Sequence, residues 1–160
     1  MLSVLGSFPL FLTVLIALFL TGVSLPEQFV PYWPDWIVLV LIYWGMAYPG
    51  RVSVFSGWLL GLLVDVMHGS LLGQNALALT LISYTVNVLH LRMRMSPLLQ
   101  QSFFIMFLVA VHLGITAWIR GMTGVFVVTP MYWMPAIISG VIWPVLFVML
   151  RDVRRSGMTR

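Results

Sequence analysis

Long apolar runs, broken at short intervals by proline, glycine and a few charged positions, dominate the chain through Leu150. Polar residues gather in the breaks. They do not alternate with apolar ones at a period of two, which excludes barrel strands facing lipid on one side and a lumen on the other. A helix needs about 20 apolar residues to cross roughly 30 Å of hydrocarbon, with a lower limit of about 17. Six segments meet or approach that length: 8–25, 33–48, 53–68, 72–91, 98–119 and 132–150. The second and third are short and are expected to extend into their flanks. The breaks are Leu25-Pro26, Trp33-Pro34-Asp35, Tyr48-Pro49-Gly50-Arg51, His68-Gly69-Ser70, Ser96-Pro97 and Thr129-Pro130. Proline suits the first helical turn and glycine the residue just past a helix end. The pattern predicts an all-α integral membrane protein, a single transmembrane domain over residues 1–160 with six spanning helices.

Composition sharpens this picture. Hydrophobic residues make up 61% of the 160 and charged ones 8%, with a mean hydropathy of +1.06, outside the range of water-soluble domains. The solvent for most of the surface is therefore lipid. Cysteine and lysine are both absent, so disulfides and thiolate chemistry are excluded. Eight arginines against four acids give the net charge of +4. They are dispersed over several connections, with no single basic face for nucleic acid. Threading six helices puts Arg51, Arg92, Arg94, Arg151, Arg154, Arg155 and Arg160 on one side and only Arg120 on the other. That bias predicts both termini in the cytoplasm. Trp33, Trp36, Tyr43, Trp44, Tyr48, Trp118, Tyr132 and Trp133 fall mostly near span ends, where amphipathic rings favour the interface. The first apolar segment lacks a positive leader and a small-residue cleavage site, so it is expected to stay as an uncleaved helix.

Several residues stand out within the spans. Gly57, Gly61 and Asp65 follow at intervals of four, and Gly69 continues the series, giving a small-residue face suited to close helix packing inside the bundle. Asp65 is the only acid deep in a span. At 1.5 Å per residue it lies roughly 21 Å from Arg51, and His112 reaches a similar depth from the other direction, so the two are expected to pair across the bundle. A structural carboxylate is the expected role, because a proton relay needs titratable groups through the whole thickness. His68 and His90 read as interfacial, and Glu27 and Asp35 as residues of a short outer turn. Three or four converging metal ligands, a glycine-rich phosphate loop and paired catalytic carboxylates are all missing. The expectation is a protein without a cofactor and without enzymatic activity. In the connection at 121–131, the apolar run Val125, Phe126, Val127 and Val128 is too short to span and is a candidate partner contact or interfacial anchor.

Taken together, Pro34-Asp35-Trp36, Tyr43-Trp44, Ala47-Tyr48-Pro49-Gly50-Arg51-Val52, the series Gly57, Gly61, Asp65, the stretch at 69–78 and Trp143-Pro144 before a basic end resemble the bacterial rod-shape-determining family MreD. The resemblance covers 33–155; the first helix and the connection at 121–131 add nothing to it. It implies a non-catalytic scaffold of the cell-wall elongation machinery in the inner membrane that binds MreC. It also implies work with MreB, RodA and an elongation-specific penicillin-binding transpeptidase, and a fold similar to the substrate-binding subunits of energy-coupling-factor transporters. The competing reading is a small-solute transporter or membrane-embedded substrate-binding subunit, suggested by six helices and by Asp65 with His112. Against it, middle depths rich in Leu, Val, Ile and Met offer few converging polar groups.

Overall fold

The structure, a computed structural model, describes residues 8–124 and 128–156. Every regular element among them is helical: α1 (Phe8–Gly22), α2 (Trp36–Ala47), α3 (Val54–His68), α4 (Gln74–Met95), α5 (Leu98–Met122) and α6 (Met134–Ser156). Short 3-10 turns at Val30–Tyr32 and Pro130–Trp133 precede α2 and α6. Three helices, Gln74–Met95, Leu98–Met122 and the run Pro130–Ser156, are long and apolar enough to cross a membrane. Phe8–Gly22 and Val54–His68 are shorter apolar helices.

The helix at 33–48 contracts where the sequence pattern predicts extension. Pro34 and Pro49 set its ends. Trp33 is extended after the 3-10 turn, and helical geometry begins only at Trp36. At the other end Pro49 disfavours helix for the residue before it, and Tyr48 leaves at φ −136°, ψ 70°. Twelve residues rise only about 18 Å, well short of the hydrocarbon thickness. Conversely, α4 runs on to Met95 before Pro97 stops it, and α6 continues past Leu150 through its arginines to Ser156. Those extensions are polar helix ends that hydropathy alone cannot count as span.

The short helix α2 is the hub. Ile37 to Met46 are all buried, so it is apolar on every side and enclosed by α1, α4 and α6. Around it the usual distribution of size is inverted. On α1 the inward positions are Pro9, Thr13 and Ala17, while Phe8, Phe11, Leu15 and Phe19 are exposed, Phe19 by 73%. Without a hydrophobic drive between helices in lipid, close approach of backbones and polar ties have to supply the cohesion. The Trp44 indole N–H donates to Thr13 Oγ1 at 2.8 Å, and that of Trp33 donates to the Leu20 carbonyl at 3.0 Å, pinning α1 to the hub and its leading turn.

Close approach is tightest between α3 and α4. A Cβ built on Gly61 would overlap the Ala76 backbone, and one on Gly57 would collide with the Ser83 hydroxyl and lie 2.8 Å from the Leu79 carbonyl oxygen. Gly69, expected to continue this face, does not. A Cβ there would meet nothing within 4 Å; the residue sits at φ +59° and ends α3, its N–H bonded to the Val66 carbonyl.

Gly61→Ala is therefore expected to lower extractable yield and melting temperature in detergent, by an amount typical of overpacking, about 1–3 kcal/mol. Gly50→Ala, in the tight turn after Pro49 with open space around it, should leave both unchanged. Equal behaviour of the two variants removes the packing account.

Candidate functional site: a buried polar chain

Asp65 is fully buried. Its carboxylate accepts bonds from the Ser70 hydroxyl, the Gly73 N–H, and the N–H and side-chain amide of Asn75, each at 2.9 Å, with the Ala76 N–H at 3.3 Å. These donors belong to the first turn of α4 and the connection leading into it. A helix start leaves several N–H groups without partners and carries positive dipole. Gly73, the residue before α4, adopts φ +100° and has no side chain with which to cap. Asp65 supplies from α3 the carboxylate that an Asp at that position would normally provide. The charge that would be costly in hydrocarbon is thus met by donors fixed in place by the α4 backbone.

The expected pairing of Asp65 with His112 is not direct: Asn75 stands between them. Because its amide nitrogen donates to Asp65, its Oδ1 is an acceptor, and it lies 3.2 Å from His112 Nε2. The other ring nitrogen, Nδ1, lies 2.6 Å from Asp35 Oδ2. Asp35 is therefore more than an outer-turn residue. Its backbone N–H donates to Ser139 Oγ at 3.1 Å, and its side chain is 13% exposed. The chain Asp65–Asn75–His112–Asp35–Ser139 joins α3, α4, α5, the start of α2 and α6. Asp35 and Asn75 thus hold the imidazole from its two ring nitrogens.

A second buried knot sits where α4 meets α5. Gln101 donates to the Met93 and Ser96 carbonyls at 2.9 and 3.0 Å, and its Oε1 accepts the Trp143 indole N–H at 3.1 Å. Trp143 is wholly enclosed, and Pro144 beside it lies inside α6. Pro49 and Arg51 belong to the turn between α2 and α3, with the Arg51 guanidinium 5.6 Å over the Tyr48 ring. Pro34 precedes Asp35 on the outer wall of the site, and Trp36 opens α2 beside Trp33. His68 and His90 bond to carbonyls of their own helices, Val64 and Asn87, and do not join the chain. Val125, Phe126 and Val127 lie outside the described residues; Val128 is about half exposed.

Sequence reasoning missed Asn75 as the bridge, and Gln101 and Thr13 as anchors. An Asn two residues after a helix-starting glycine and ten after a buried acid is the signal that was available. Among the described residues no three of His, Asp and Glu converge to hold a metal ion. The polar groups that do converge are engaged with one another and with backbone, an arrangement that joins helices. Such a site, in a bundle with three helices long and apolar enough to cross a membrane, defines a helical membrane protein. The chain belongs to the MreD family: the family model described as rod shape-determining protein MreD matches residues 2–153. It is also 33% identical to the rod shape-determining protein MreD of Haemophilus influenzae, over 77% of this chain and 76% of that protein. No solved structure matches the chain.

Asp65→Leu should strip four donor residues of their acceptor and bury unmet N–H groups, costing on the order of 3–5 kcal/mol in stability. Asp65→Asn keeps one acceptor oxygen but sets an NH2 against the Gly73 and Ala76 N–H groups, so its melting temperature in detergent is expected between those of the parent and the Leu variant. Wild-type stability of Asp65→Leu would mean that the carboxylate does not hold α4.

Proposed function

We propose that this chain is a non-catalytic scaffold of the bacterial cell-wall elongation machinery, embedded in the cytoplasmic membrane as one six-span domain with both termini in the cytoplasm. The observation that carries the reading is membership of the rod-shape family. The buried polar groups support it, because they tie helices together. The orientation rests on seven arginines against one. The same reading includes the helical arrangement of the energy-coupling-factor subunits.

The partner in this reading is MreC, with MreB, RodA and the elongation-specific transpeptidase reached through it. Short connections on the outer side form no domain of their own, so influence on wall synthesis outside the cell passes through another protein. The contact combines lipid-facing helix surfaces with the apolar run at 125–128.

Two measurements check this. A C-terminal fluorescent-protein fusion should be bright and the matching alkaline phosphatase fusion inactive; the reverse overturns the orientation. Phe126→Asp and Val127→Asp should reduce copurification of MreC on the order of tenfold, as loss of an apolar anchor does, while the amount of protein in the membrane stays the same. Unchanged copurification moves the contact to the helix faces.

A further inference from the structure

Above the Asp35–His112 pair lies an open cavity of about 590 Å³, within the size range of small-ligand sites. Its floor holds Asp35, His112 and Asn75, and its walls include Thr21, Ser24 and Arg120. Asp35 Oδ2 is taken by His112. Among the described residues no hydrogen bond reaches the second oxygen, Oδ1, of Asp35, a residue that lines the cavity. The ends of α1 at Gly22 and of α3 at His68 line the same space. Helix C-termini carry negative dipole, which favours cations and N–H donors. The lining thus sets two negative helix ends around one carboxylate oxygen that has no donor.

Beside it runs a second cleft of about 340 Å³. The two share Val30, Leu113 and Pro135, and the second adds Met131 and Tyr132, so a polar chamber continues into an apolar one. A soluble amine would use only the first. A ligand with a charged head and a hydrocarbon tail uses both.

We propose that this cavity binds a headgroup bearing a primary ammonium, which donates to Asp35 Oδ1 beside the negative ends of α1 and α3. The apolar cleft takes the start of an acyl chain, which makes an aminophospholipid such as phosphatidylethanolamine the ligand that fills the whole space. The inference rests on the chain being a membrane protein and is independent of its partner and of its orientation. Phosphatidylcholine is the matched control, because its trimethylated nitrogen keeps the charge but has no N–H to donate.

The test is the melting temperature of the full chain in nanodiscs of phosphatidylcholine, with or without phosphatidylethanolamine. Phosphatidylethanolamine at about ten times its dissociation constant should raise it by about 4 °C. Asp35→Asn should abolish the difference. Val30→Trp enlarges a half-exposed residue that lines both spaces, so it should abolish the difference too while keeping the parent's melting temperature in phosphatidylcholine. No difference between the lipids in the parent chain, or a difference that survives in either variant, overturns the proposal. Ethanolamine added to phosphatidylcholine nanodiscs separates the two sources of the ammonium. A shift with ethanolamine assigns the site to a free amine; a shift only with phosphatidylethanolamine assigns it to the lipid. Loss of MreC binding with the lipid difference intact would count against the scaffold reading alone.

Discussion

A carboxylate inside a membrane protein has to be solvated by the protein itself, and the position of Asp65 shows how much of the bundle follows from that requirement. Its five donors come from the connection after α3 and from the first turn of α4, so one side chain ties the end of α3 to the start of α4 and sets their separation. Gly61 and Gly57 then become necessary, because a helix held this close leaves no room for a Cβ against Ala76 or Ser83. The capping bond and the glycine face are two aspects of one packing solution. Each is of little use without the other.

The same logic of internal solvation extends across the bundle. Asn75 hands the polar chain from Asp65 to His112, and Asp35 closes it by meeting His112 with its side chain and Ser139 with its backbone. At the other end Gln101 binds two carbonyls and the Trp143 indole. Between these two knots the interior is α2, apolar all round and too short to span hydrocarbon alone. A dry hub with a polar clamp at each end gives directional contacts to an interior that would otherwise pack in several registers, since apolar side chains in lipid have little preference for one another.

What could be read in the sequence was governed by one-dimensional physics. Apolar runs punctuated by Pro26, Pro49, Pro97 and Pro130 determined an all-helical membrane protein of six helices, because lipid tolerates only segments that satisfy their own backbone. Ordered motifs from Pro34 to Pro144 determined the family. The exact helix ends were less accessible. A proline's restriction of its neighbour shortened α2, whereas polar extensions lengthened α4 and α6 without changing hydropathy in the expected windows. Only the tertiary structure decided who met whom. Depth counting put Asp65 and His112 at one level, but depth says nothing of rotation about a helix axis. A turn of α4 placed Asn75 between them, and the opening of α2 brought in Asp35 as the partner of His112. Gly69 shared the glycine spacing and still left the packed face, because its positive φ ends the helix on which that spacing had meaning. Sequence periodicity holds only while the helix lasts, and contacts between helices depend on angles and separations that the folded bundle alone supplies.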